Sequence, residues 1–177
     1  MAKVDVSAPF DRAAARLIGI AGDLTPARDR AVGTLARRLP VIARRDMQAE
    51  YNLRASRIAE HLSASRGDGY VELRGQKRGI GLIEFGGRWG GRKSAGATAQ
   101  RRRNGGRESY PGTFIATLKG GNRHIVERVG KKRLPIELFY GPSISQMLRN
   151  QPRRERLRTA AEEILDAEIE RLTRRYR

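Results

Sequence analysis

Helical spacing occupies the two ends of this chain, and strand-like runs lie between them. The C-terminal signal is the clearest. From Arg153 to Tyr176, Leu157, Ala161, Ile164, Leu165, Ile169, Leu172 and Tyr176 follow i, i+4, i+7 spacing on one face. The acidic residues Glu162, Glu163, Asp166, Glu168 and Glu170 fall mid-helix. Arg171, Arg174, Arg175 and Arg177 close it, where the helix dipole favours cations. Towards the other end, Thr25-Pro26 supplies an N-cap residue followed by proline at the first helical position. Helical spacing then runs through Ala31, Leu35, Val41, Ile42 and Met47 to about Tyr51. Pro40 removes a backbone donor inside this run and is expected to kink or divide the helix. Asn52 is a stop, and a second helix from Arg54 to Leu62 puts Ile58 and Leu62 on one face. The junction lacks the glycine of a helix-turn-helix, so a helix pair packing on a sheet is the expectation. Helices, then strands, then a helix argue for an α+β fold with an antiparallel sheet rather than alternating βαβ units.

The middle of the chain is read from turn chemistry and alternation. Ser63 to Gly69 is a turn-rich break. Tyr70–Leu73 and Gly79–Phe85 read as strands of a hairpin around the basic loop Arg74-Gly75-Gln76-Lys77-Arg78. Residues 86–109 change character: seven glycines interleave with Arg88, Arg92, Lys93, Arg101, Arg102, Arg103 and Arg107, and Trp89 alone is large and apolar. A flexible Gly/Arg loop or arm is expected there. Phe114–Leu118, His124–Val129 and Leu134–Phe139 read as further strands, separated by Gly120-Gly121-Asn122 and by the basic turn Gly130-Lys131-Lys132-Arg133. Pro135 suits an edge or strand start, and Ser143–Leu148 a short helix. Residues 1–24 are ambiguous: Val4 and Val6 alternate like an edge strand, and Ala13–Ile20 could form a short helix.

The 177 residues suffice for one domain with one core, and a 38% hydrophobic share lies above a disordered composition. Lys+Arg 37 against Asp+Glu 19 gives a net charge of +18. Such an excess favours polyanionic surfaces: DNA, RNA, an anionic membrane or an acidic protein. The sequence has no cysteine, which excludes disulfides, thiolate metal sites and Cys nucleophiles. No stretch approaches a membrane span. A signal-peptide core is absent, and Asp5, Asp11, Asp23 and Asp29 argue against a transit peptide, so an intracellularly made soluble protein is expected.

Catalytic groupings fare poorly. His61 and His124 lack a second histidine or a carboxylate at metal-ligand spacing and read as surface or packing residues. No nucleophile-elbow pattern accompanies them. Glu72 and Glu84 read better as strand carboxylates balancing arginines than as a hydrolase pair. Gly91-Arg92-Lys93-Ser94 approximates the end of a phosphate-binding loop, but no apolar helix follows it. Trp89 alone among the arginines is a weak stacking platform for single strands. An electrostatic arm touching nucleic acid or an acidic subunit is the functional reading, against a solvated loop that orders on assembly.

Two stretches are more specific: Tyr110-Pro111-Gly112-Thr113-Phe114-Ile115-Ala116, and Val126 to Ile144, which contains Arg128-Val129-Gly130-Lys131-Lys132-Arg133-Leu134-Pro135-Ile136 and Tyr140-Gly141-Pro142-Ser143. Together they resemble the prophage minor tail protein Z family, with Thr113 where alanine is common. The resemblance implies a single tail-completion or neck domain over residues 1–177. It implies a virion component of a tailed bacteriophage, assembled in the host cytoplasm, that acts at the head-proximal end of the tail. A ring of six subunits, contacts with the tail terminator, tail tube and head–tail connector, and transient contact with phage DNA follow as expectations. So do no cofactor, no metal, no membrane and no catalytic residues. Physically, Arg128, Lys131, Lys132 and Arg133 build a positive hairpin, and Leu134-Pro135-Ile136 is expected to return the chain to the core. Tyr140-Gly141-Pro142-Ser143 then turns it into a capped helix. The competing reading is a basic nucleic-acid-binding protein of ribosomal or architectural type. A small enzyme has scarcely any support.

Overall fold

The computed structural model describes residues 25–67, 70–91 and 96–174. The expectations for residues 1–24 and for Tyr176 lie outside them. The fold is α+β, with N-terminal helices, three small antiparallel sheets and a C-terminal helix.

Helix α1 spans Thr25–Glu50 without interruption, and Pro40 does not divide it. Its buried stripe is Ala31, Leu35, Leu39, Ala43 and Met47, a strict i+4 ladder, with Val41 absent from the core and Ile42 only half-buried. The C-terminal helix α4 spans Gln151–Thr173 and lies against α1 through Leu157, Ala161, Ile164 and Leu165. Alanines on both helices permit close approach, while each fully buried Leu or Met contributes roughly 1.5–3 kcal/mol of transfer free energy. Helix α2, Ala55–His61, buries Ile58 and leads directly into a strand. The α1–α2 junction is covered by backbone: Asn52 N–H donates to the Arg101 carbonyl at 3.0 Å, and Arg103 N–H to that of Glu50 at 2.9 Å.

Three expectations are corrected in the middle of the chain. Ser63–Gly69 is not merely a break, because β1 (Leu62–Gly67) pairs antiparallel with β2 (Tyr70–Gly75), Leu62 opposite Gly75 and Gly67 opposite Tyr70. Small polar residues hide the strand, whose order comes from its partner rather than its own propensity. Gly79–Phe85 is not the partner of β2. It carries a 3-10 turn at Leu82–Glu84 and meets the last sheet through a Gly81–Tyr140 bridge, with Leu82 N–H donating to the Phe139 carbonyl at 2.9 Å. Its apolar residues Ile80, Leu82 and Phe85 are buried, so the segment reaches the core as a turn rather than as a strand.

The Gly/Arg stretch, thirdly, is not a structureless loop or arm. Within residues 86–109 lie β3 (Arg88–Trp89), β4 (Gly96–Ala99) and the start of β5 (Glu108–Pro111), forming a sheet in the order β3-β4-β5. Every residue of β4 is buried. Small side chains let the strand pass under its neighbours, and Ala97 N–H donates to Thr113 Oγ1 at 3.1 Å. Gly112, at φ 77, is the single residue between β5 and β6 (Thr113–Thr117), a conformation that glycine adopts without steric cost. The last sheet has the order β6-β7-β8, with β7 at Arg123–Arg128 and β8 at Ile136–Leu138. Helix α3, Ile144–Leu148, opens on a capping box: Ser143 Oγ accepts from Gln146 N–H at 3.1 Å, and Gln146 Oε1 from Ser143 N–H at 2.9 Å. Its first turn abuts Gly75, where a Cβ would sit 2.7 Å from the Ser145 nitrogen.

Candidate interaction surfaces

The basic residues expected to make contacts divide into groups that the sequence does not distinguish. In the first, guanidinium groups are tied to the scaffold. Arg101 pairs with Glu108 at 2.7 Å, and Arg102 reaches Glu50 at 3.6 Å. Arg107 donates to the Gly86 carbonyl and to Thr98 Oγ1, and burial, followed by the nearby charge of Arg88, pushes its pKa down. Glu108 also accepts from the Tyr110 hydroxyl at 2.6 Å. Arg101 and Tyr110 together hold that carboxyl below its ordinary value. Burial, then Glu108, pushes Tyr110 up to about 12. These arginines brace β5 against the α1 terminus. Arg88 and Arg103 are exposed and form no ion pair with a described residue. Arg92 and Lys93 lie outside the described residues.

The second group is the β7–β8 hairpin. Val129 N–H donates to the Pro135 carbonyl at 3.1 Å, closing a tip in which every residue from Val129 to Pro135 is exposed. Gly130, Lys131, Lys132 and Arg133 form its turn, and the Arg128 guanidinium stands 4.7 Å from the Phe114 ring centroid. Leu134 and Pro135 do not return to the core: Leu134 is 65% exposed and Val129 55%, and only from Ile136 is the chain half-buried. A tip carrying two bare aliphatic side chains beside three cations is an amphipathic surface rather than a purely electrostatic one. Among the other motif residues, Tyr110 packs edge-on against Phe139 at 6.0 Å, Gly141 donates to the Ile80 carbonyl at 2.8 Å, and Tyr140 is exposed. Pro142 precedes the α3 cap. Thus Tyr110, Gly141 and Pro142 hold the fold that presents the tip.

Two features escape a linear reading. Arg153 is the largest fully buried side chain among the described residues. It donates to Asp46 and Glu50 on α1, each at 2.5 Å, and to the Met147 carbonyl at 2.7 Å, with its guanidinium 5.5 Å from the Tyr51 ring centroid. Arg156 adds a second bond to Asp46 at 2.6 Å. Burial raises the Asp46 carboxyl, but Arg156 and Arg153 outweigh it and leave the group below its ordinary value. The signal was available: four residues before Leu157, Arg153 extends the apolar stripe of α4 by one turn. The second feature is a cleft of about 630 Å3 beside α2, walled by Arg54, Arg57, His61, Arg78, Arg123 and His124. Its residues are dispersed along the chain and meet only through the fold.

Among the described residues, no cluster of three or more His, Asp or Glu could hold a metal ion, and no helix is long and apolar enough to cross a membrane. The family model of prophage minor tail protein Z matches residues 25–176. No curated protein and no solved structure matches the chain.

Proposed function

The chain belongs to the prophage minor tail protein Z family, and on that premise we propose that it completes the head-proximal end of a bacteriophage tail and helps join tail to head at the neck. A structural tail component associates with other tail proteins and resides in the virion. In this reading it works through interfaces rather than catalysis, as a ring of about six copies, between the tail terminator and tube on one side and the head–tail connector on the other. The observation that carries it is the β7–β8 tip. Lys131, Lys132 and Arg133 steer an acidic neighbour, and Val129 and Leu134 gain only when a partner removes them from water. Duplex DNA offers the phosphates but little apolar surface at its backbone. Protein is therefore the preferred occupant of the tip, with DNA in passing contact.

The test is reconstitution. Tails and heads made without this protein are mixed with and without the purified chain, and infectious particles are counted. Particles should form only when it is added; equal joining without it sinks the neck role. A second reading, a basic nucleic-acid-binding protein, draws on Arg88 and Arg103, exposed and without ion pairs among the described residues. Tight duplex binding that keeps sequence specificity through a salt titration would favour it, whereas weak non-specific binding favours the tail role.

A further inference from the structure

We propose that the cleft beside α2 is a receptor for an acidic peptide segment of a neighbouring protein, a contact separate from the β7–β8 tip. The cleft brings together the start of α2, the segment Gln76–Gly87, the β6–β7 turn and Tyr140. About 630 Å3 falls within the range of roughly 300–1,000 Å3 that encloses small ligands. Arg54, Arg78 and Arg123 line it, all exposed and none in an ion pair with a described residue. Arg57 is already engaged, with Glu60 at 2.8 Å and Glu84 at 3.0 Å, so the one carboxylate on the wall is neutralised from within. The cleft therefore holds a surplus of unspent positive charge drawn from three separate elements.

Two further features shape the ligand. His124 Nδ1 is buried without a hydrogen-bond partner, an unmet demand that a bound polar group would satisfy. His61, by contrast, is fixed, with Nδ1 2.6 Å from Gln76 Oε1. Ile83 and Tyr140 supply apolar wall between the cations. A duplex lies along a surface and does not enter a recess of this size. A peptide that alternates carboxylates with an aliphatic side chain meets both kinds of wall. The partner class is thus an acidic, partly apolar segment. The inference does not depend on where in the tail this chain sits.

The experiment uses the full-length protein and a fluorescein-labelled peptide of alternating glutamate and leucine, read by anisotropy. Reversing Arg54, Arg78 and Arg123 together to Glu should weaken binding by about tenfold or more, because three attractive contacts become repulsive. The triple glutamine variant should lose less. Reversing Lys131, Lys132 and Arg133 should change binding by less than about twofold, being outside the cleft. Far-UV circular dichroism checks folding, and if charge reversal unfolds the chain the glutamine variant carries the test. Unchanged peptide affinity in the folded cleft variants overturns the proposal. So does an equal loss from the tip variant. Displacement of the peptide by a 20-base-pair duplex that binds more tightly, with the same dependence on Arg54, Arg78 and Arg123, also overturns it and assigns the cleft to nucleic acid.

Discussion

Arg153 shows how one side chain can join two helices and a loop. Its guanidinium sits between carboxylates one turn apart on α1, so its removal leaves Asp46 to Arg156 alone and Glu50 to the more distant Arg102, with the two carboxylates repelling each other in a partly buried site. Arg153→Met should lower stability by about 3 kcal/mol, measured by urea denaturation. Adding Asp46→Asn and Glu50→Gln to it should recover much of the loss, since the repulsion disappears with the charges. The same cluster sets an acid limit. The folded Asp46 carboxyl lies below its ordinary 3.8, so its contribution is complete above that pH and is lost as pH falls through the lower folded value. Tyr110 sets an alkaline one. With its ionisation raised from 10.0 to about 12, its contribution is full below pH 10 and disappears progressively as pH rises towards 12. Ultraviolet titration of the five tyrosines should show a late phase near pH 12 that is missing in Tyr110→Phe.

At the scale of elements, Pro40 in α1 and Gly75 in β2 have opposite effects. Pro40 breaks a hydrogen bond in a helix that continues regardless, so Pro40→Ala should raise the thermal midpoint, with a gain of up to about 3 kcal/mol. Gly75 permits the backbone of α3 to lie on β2, and Gly75→Ala should cost about 1–3 kcal/mol by pushing Ile144 and Ser145 away. Elements whose order is local were legible in the sequence: the α4 stripe, the Ser143 cap and the β6–β7 turn each carry their own periodicity or turn chemistry. Elements ordered by partners were not. Leu62–Gly67 has too few apolar residues to announce a strand, and Gly96–Ala99 is buried because small side chains let other chain segments cover it. The candidate surfaces divide the same way. The hairpin cations are contiguous and therefore visible, but the exposure of Leu134 depends on the β8 pairing that begins only at Ile136. The cleft arginines span Arg54 to Arg123 and have no linear signature at all.

On the scale of the whole molecule, two cationic surfaces lie at the two ends of one strand. Arg123, at the start of β7, lines the cleft, and Arg128, at its end, leads into the exposed tip. The five residue steps between these poles, from Arg123 to Arg128, span about 16–17 Å. Charge changes at either pole should leave stability within about 0.5 kcal/mol of the parent while reducing assembly, because the exposed cations of the two surfaces do not contribute to the core. Lys131→Glu with Lys132→Glu, followed by denaturation and by the head–tail reconstitution, separates the two effects. β7 is also the central strand of its sheet, bonded to β6 on one side and β8 on the other. Inter-strand hydrogen bonds run perpendicular to the strands. A pull between partners seated at the two poles would therefore act along β7 and load both ladders in shear, all bonds together. A pull across the sheet would open them singly, like a zipper. With partners so seated, the subunit would act as a tie-rod: stiff along the line joining them, and compliant at right angles to it.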